Sequence, residues 1–310
     1  MLPNNLIKRL TNIYNSKDFK IVLQGFELER NTVFRVNTLK SNFKAIEDFL
    51  NENNIIFEKI NFLQNTYIID KKYEYFLKGS RIFYDGKIYV QSITSQIPAT
   101  LLELKKGDKI LDATAAPGSK TTQISAILEN SGEIIAIEKN QIRFDKLNYN
   151  IKLQGCINVK TIKTDAIKLD SKFPKGYFDK IILDAPCSAE GRMNIKNEKS
   201  FGFWSEKNIL KNVSTQKNII DSTINLLKKG GIFVYSTCTI SPEENEEIVS
   251  YILDKYKDFK IEKIKIDFEF ARNGITEFNG KKYSKETLKC LRILPSKISE
   301  GFFIAKFRRK

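Results

Sequence analysis

"ILDATAAPGSKTTQIS", residues 110–125, is the stretch on which the fold turns. An apolar run ends in an acid at Asp112. Small residues follow through Thr114, Ala115, Ala116, Pro117 and Gly118, and Ser119 and Lys120 open a polar segment. Strand, tight turn and helix in that order make the first repeat of a parallel α/β sheet. Small residues at such a turn let a ligand approach the backbone, and the N–H groups of the helix start point at it. The stretch is not a P-loop, because Ser119 separates Gly118 from Lys120. It also lacks the GxGxxG fingerprint of dinucleotide folds.

Four further apolar runs follow downstream: EIIAIE (133–138), VKTIKTD (159–165), DKIILDAP (179–186) and GIFVYSTC (231–238), with helical segments between them. With KILDAT (109–114) they read as a doubly wound parallel sheet, in which ligands bind beyond the carboxyl ends of the strands. Four of those ends carry an acid: Asp112, Glu138, Asp165 and Asp184. Any one acid after a strand can be a helix cap. Four along one edge would repel a phosphate and suit an adenosine ligand that carries positive charge. Glu138, 26 residues after Asp112, is placed to accept both ribose hydroxyls. S-adenosylmethionine, with its sulfonium and ammonium groups, fits this edge better than NAD.

Upstream the texture differs. A helical N-terminal stretch precedes a strand FRVNTLK (34–40), a helix NFKAIEDFLNEN (42–53) and strands IIFEKI (55–60), TYIID (66–70) and RIFYDGKIYV (81–90). This order predicts a small α+β domain over residues 1–90, followed by the sheet domain over 91–310. The 310 residues are 41% hydrophobic and carry a formal net charge of +15. A polyanionic partner accounts for that charge, although heavy use of Lys, Ile and Asn also has the look of coding bias. No apolar run approaches the ~20 residues that span a bilayer, and the N-terminus has no signal-peptide core. A cytoplasmic location and no membrane association are expected. Histidine is absent and the four cysteines have no CxxC spacing, so no metal site is expected.

Two of the cysteines stand out. DAPCSAEGR (184–192) puts Cys187 just past one strand, and YSTCT (235–239) puts Cys238 just past the next. Neighbouring strand ends would bring both thiols to the ligand edge. Ser241, Pro242 and Glu244 form an S-x-x-E capping pattern, which predicts a helix starting at once after Cys238.

These residues resemble the RNA cytosine carbon-5 methyltransferases of the RsmB/NSUN type. The likeness runs from about Arg35 to Lys306, through RVNTLK (35–40), VQSITSQIPA (90–99), LDATAAPGSKTTQ (111–123), LDAPCSAEG (183–191), GGIFVYSTCTISPEENE (230–246) and LRILPSKISEGFFIAKF (291–307). It implies a Rossmann-like class I S-adenosylmethionine-dependent methyltransferase sheet with a small N-terminal α+β domain. It implies that Thr114, Ala115, Ala116, Pro117, Gly118, Ser119 and Lys120 line the methionine end of the cofactor. Glu138 would hold the ribose and Asp165 the adenine edge, with Arg143 and Asp184 also at cofactor positions. Cys238 would be the nucleophile and Cys187 would assist release. Ser119 stands where relatives usually have glycine, and the stretch before Gly301 lacks a histidine common among them. The chain ends after GFFIAKFRRK, so no appended RNA-binding domain is expected.

The chemistry explains the thiols. Carbon 5 of cytosine is a poor nucleophile until a thiolate adds at carbon 6. Protonated Asp184, its pKa raised in a partly dry pocket, suits delivery of a proton to ring N3, and Lys120 would orient Asp184, the base or a phosphate. The expected partner is RNA, rRNA more than tRNA, with the enzyme a monomer. Two rivals stand: a DNA cytosine methyltransferase, whose Pro-Cys nucleophile Pro186–Cys187 mimics, and a binding protein that has lost catalysis.

Overall fold

A computed structural model describes residues 2–310. In chain order the helices are α1 (Asn4–Ile13), α2 (Ser16–Glu27), α3 (Phe43–Glu52), α4 (Glu74–Gly79), α5 (Arg81–Tyr84), α6 (Ile93–Thr100), α7 (Ser119–Ile127), α8 (Gln141–Gln154), α9 (Glu206–Thr223) and α10 (Glu246–Lys255). The strands are β1 (Thr32–Val36), β2 (Phe57–Ile60), β3 (Leu63–Ile69), β4 (Ile88–Val90), β5 (Lys109–Asp112), β6 (Glu133–Glu138), β7 (Val159–Lys163), β8 (Phe178–Asp184), β9 (Leu227–Thr237), β10 (Phe259–Glu262), β11 (Ala271–Asn273), β12 (Glu277–Phe278), β13 (Lys281–Lys282), β14 (Leu291–Ile293) and β15 (Phe302–Arg309). Two compact units divide them: residues 31–184 with 222–233, and residues up to Arg30 with 185–221 and 234–310.

The first unit holds two sheets. Its strand path β9-β8-β5-β6-β7 is parallel wherever β5 meets β6 and β8, and where β6 meets β7. Ile110, Leu111, Ile134, Ala136, Ile137, Ile181 and Ile182 are buried in it, the continuous apolar runs expected of strands covered on both faces. Chain order runs outward from β5 one way through β6 and β7 and the other way through β8. The carboxyl end of β5 is therefore the topological switch point, where α/β sheets open a ligand crevice.

The second sheet of this unit has the order β2-β3-β1-β4. Phe34, Val36, Ile46, Leu50, Tyr67 and Ile88 form its own core. The strand expected over 81–90 is instead the short helix α5, a turn and the three-residue β4. The turn at Asp85–Gly86 breaks the strand: Gly86 has φ +70°, and a Cβ there would meet the Leu153 carbonyl oxygen at 2.1 Å. The small sheet and the parallel strands thus share one compact unit, and residues up to Arg30 belong to the other.

In the second unit Leu6, Leu10, Val22, Phe26, Met193, Phe201, Ile240 and Leu294 form a core. Its antiparallel strands run β11-β14-β15, with β10 also on β15. Among the described residues no helix is long and apolar enough to cross a membrane.

Candidate active site

In the first unit, β5 delivers the loop 113–118 to the switch point. Gly118 takes φ +104°, where a Cβ would press within 3.1 Å of Leu147 Cδ1, so glycine lets the chain turn into α7. No side chain caps that helix. Ala115 and Ala116 are buried. Thr114 Oγ1 donates to the Asp184 carbonyl oxygen at 2.8 Å, and the Pro117 carbonyl accepts from Asn150 at 2.8 Å.

Glu138 ends β6 with its carboxyl nearly buried. Oε1 accepts the Asn140 N–H at 2.8 Å, and Oε2 lies 3.4 Å from Arg143 Nε. Asn140 caps α8 by accepting the Arg143 N–H. The cap aims the Arg143 side chain back, and Nη2 donates to the Ala116 carbonyl at 2.7 Å. Arg143 thus ties the Glu138 carboxylate to the loop. Asp165 lies two residues past β7 and caps the turn that follows it, accepting from Ile167 N–H at 3.3 Å. Its other oxygen faces Lys139 Nζ at 3.3 Å.

Lys120, in the first turn of α7, is buried. Its Nζ donates to Asp184 Oδ2 at 2.7 Å and to Ser95 Oγ at 2.9 Å. Asp112 is fully buried, and burial raises its carboxyl to about 6, even though it accepts a 2.6 Å bond from Thr121 Oγ1.

The sequence reading gave Arg35 no role, yet it braces this same helix. Arg35 is buried, donating to Gln91 Oε1 at 2.9 Å, to Thr122 Oγ1 at 2.6 Å and to the Ser119 carbonyl at 3.4 Å. Its guanidinium lies over the Tyr89 ring, and burial lowers it to about 10. Gln91 in turn donates to Gln123 Oε1 at 3.1 Å. The motifs RVNTLK and VQSITSQ are therefore splints of α7, the helix that follows the loop 113–118. Their presence in the sequence was the available signal, but nothing local says where the guanidinium goes.

In the second unit the two thiols meet. Cys187 Sγ and Cys238 Sγ are 3.3 Å apart. Cys187 is pushed well above the ordinary thiol range, first by its hydrogen bond to Cys238 and then by burial. Either sulfur can be the donor in that contact. Cys156 and Cys290 are buried core residues.

The helix expected directly after Cys238 starts later, at Glu246, and no capping box forms. Tertiary partners outbid the local cap. Ser241 Oγ donates to Glu190 Oε2 at 2.8 Å. The Glu244 carboxylate accepts the Ser188 N–H at 3.1–3.2 Å and Gln216 Nε2 at 2.9 Å. Burial raises Glu244 to about 8, assisted by the Glu190 charge. A helix N-terminus is therefore not what activates Cys238.

A cavity of about 260 Å³ opens beside Cys187, lined by Ser188, Phe203, Trp204, Asn208 and Lys211 among others. Trp204 Nε1 donates to Glu190 Oε1 at 2.6 Å, and Asn208 Nδ2 to the Phe203 carbonyl at 2.8 Å. Both bonds hold the aromatic wall in place. Phe203 presents an exposed ring. Among the described residues no group of three or more Cys, Asp or Glu is placed to hold a metal ion.

A family described as 16S rRNA methyltransferase RsmB/F matches residues 99–308. The chain is 36% identical over 310 residues to the tRNA (cytosine(49)-C(5))-methyltransferase of Pyrococcus abyssi, covering 99% of this chain and 96% of that protein. It is 35% identical over 227 residues to the ribosomal RNA small subunit methyltransferase F of Vibrio campbellii, covering 72% of this chain but only 45% of that longer protein. The solved structure of NSun6 from Pyrococcus horikoshii with SFG superposes with a TM-score of 0.82 at 26% identity, over 99% of this chain and 98% of that one.

Proposed function

The chain belongs to the RsmB/F family of S-adenosylmethionine-dependent RNA cytosine-C5 methyltransferases, and on that footing we propose that it methylates carbon 5 of a cytosine in RNA, with Cys238 as covalent nucleophile and Cys187 as its proton partner. The observation that carries this reading is the 3.3 Å approach of the two sulfurs.

The donor set fits the cofactor. Buried Ala115 and Ala116 leave room along the loop, and the Glu138 carboxylate is held by backbone and Arg143. The acids Asp165 and Asp184 suit a cationic ligand. Thr114 to Lys120, Glu138, Arg143, Asp165 and Asp184 are the residues we assign to hold it. When bound, S-adenosylmethionine supplies an electrophilic methyl group.

The chain's own residues handle the rest. On the strength of the family membership we assign the Asp184 carboxylate and the thiols of Cys187 and Cys238 to one reaction. Cys238 Sγ adds as thiolate to carbon 6, and ring N3 takes a proton through Asp184 from the Lys120–Asp184 pair. Lys120 Nζ, 2.7 Å from Asp184 Oδ2, is proposed to support that transfer. Once carbon 5 is methylated, its hydrogen must leave and the carbon 6–sulfur bond must break. Cys187 hands its proton to the departing Cys238 sulfur and takes the carbon 5 proton. N3 returns its own to Asp184, so every proton is accounted for. The cavity beside Cys187, with Phe203, Trp204 and Lys211, is suited to a splayed-out nucleotide by stacking and charge. Residues 1–90 are proposed to help choose the RNA.

The RsmB/F description supports rRNA as substrate. The end-to-end likeness to the archaeal tRNA enzyme favours tRNA as a second reading. Tritiated cofactor assays on rRNA, tRNA and DNA separate these. A denaturing gel of labelled RNA tests the thiols: Cys238→Ala should abolish both methylation and adduct, whereas Cys187→Ala should trap a cofactor-dependent adduct. The reverse pattern would give the Pro186–Cys187 thiol the attacking role of the DNA enzymes.

A further inference from the structure

The two thiols sit in irregular chain, where no ladder or helix fixes their positions. Gly191 N–H donates to the Cys238 carbonyl at 3.0 Å, and the Ser188 and Thr239 hydroxyls meet at 2.7 Å. Beside these bonds, two consecutive residues hold the flanks of both thiols. Asn245 holds both neighbours of Cys238: Thr237 Oγ1 donates to its Oδ1 at 2.6 Å, and its Nδ2 donates to the Thr239 carbonyl at 3.1 Å. Glu244 holds both neighbours of Cys187. Its carboxylate accepts the Ser188 N–H directly, and it accepts from Gln216 Nε2, which also donates to the Pro186 carbonyl at 2.9 Å. The template is itself anchored, because buried Tyr235 on β9 donates its hydroxyl to the Glu244 carbonyl at 2.7 Å. Asn245, Glu244, Gln216 and Thr237 are all fully buried.

We propose that Glu244 and Asn245 are paired positioning residues, one clamp for each thiol, and that their adjacency in the chain sets the sulfur–sulfur spacing. Consecutive Cα atoms lie about 3.8 Å apart, close to the 3.3 Å between the sulfurs. A cysteine side chain has one rotatable bond with three staggered positions, so holding the chain on both sides limits the sulfur to those few positions. Misplacing a reacting group by 1 Å can cost about a hundredfold in rate. The division of labour rests on the thiol roles proposed above: Asn245 serves attack and Glu244 serves release.

The test crosses the two clamps with the two steps. In a Cys187→Ala background, where the adduct accumulates, Asn245→Ala should slow adduct formation by about tenfold or more, while Glu244→Gln leaves it nearly unchanged. In the otherwise intact enzyme, Glu244→Gln should accumulate adduct and Asn245→Ala should not. Thr237→Val, which removes one bond and keeps the volume, gives a milder form of the Asn245 effect should the alanine variant not fold. Site-resolved alkylation by iodoacetamide, read by peptide mass spectrometry, probes the clamps without RNA. Asn245→Ala should change the rate at Cys238 alone, and Glu244→Gln the rate at Cys187 alone. Equal changes at both thiols, or none, would overturn the clamps. Failure of Cys187→Ala to form any adduct would overturn the thiol roles instead, and alkylation alone would then decide the clamps.

Discussion

Lys120 Nζ stands 2.7 Å from Asp184 Oδ2 with its own side chain 5% exposed and the acid's 36% exposed. A buried cation meets a carboxylate that still sees solvent. Removing the lysine strands less charge than in a fully dry pair, but it frees the acid to move. Lys120→Met should lower turnover by about a hundredfold or more, the scale of lost general acid–base assistance. It should cost about 1–3 kcal/mol of stability. Adding Asp184→Asn should recover stability but not turnover, as thermal unfolding and single-turnover methylation would show.

Glu138→Ala should weaken S-adenosylmethionine binding by about tenfold to a hundredfold, the scale of one or two hydrogen bonds to a charged acceptor. The fold should survive, because that carboxylate bonds to the exposed-side Asn140 N–H and Arg143 guanidinium rather than to the sheet core. Titration calorimetry giving an unchanged Kd would remove Glu138 from the cofactor site.

Glu244 and Asp112 make stability fall as pH rises. Both carboxyls are raised in the folded chain, Glu244 to about 8 and Asp112 to about 6. Between their ordinary values and these, the folded state holds protons that the unfolded state has released. Their contribution is therefore full below about pH 4 and is lost progressively up to about pH 8. Urea unfolding from pH 5 to 9 should show the destabilisation caused by Glu244→Gln shrinking as pH rises. A pH-independent difference would mean that Glu244 is ionised throughout.

RNA affinity should fall steeply with salt, each phosphate contact contributing about 0.7–0.9 to the log–log slope. Filter binding at several ionic strengths would read it. A flat response would leave the net charge of +15 as a matter of composition.

The parts legible in sequence were those written in continuous apolar runs. Strands buried on both faces announce themselves, and so do the acids and cysteines that follow them: Glu138, Asp184, Cys187 and Cys238 all lie at or just past strand ends. Local signals failed where a distant partner made a better offer. Ser241 and Glu244 spell a capping box, but Glu190, Ser188 and Gln216 claim their side chains first. Residues 81–90 read as a strand, but the turn at Gly86 against Leu153 leaves only three residues for one. Arg35 gave no local sign at all, since its three acceptors lie 56 to 87 residues away.

That reach bears on how such enzymes can be recombined. Arg35 belongs to the small β-sheet module, yet its guanidinium satisfies Gln91, Ser119 and Thr122 beside the loop of residues 113–118. A chain beginning at residue 91 would lose those three bonds next to the glycine turn. The N-terminal module is thus no detachable cartridge: any foreign recognition module spliced on at residue 90 must bring an arginine of its own to α7.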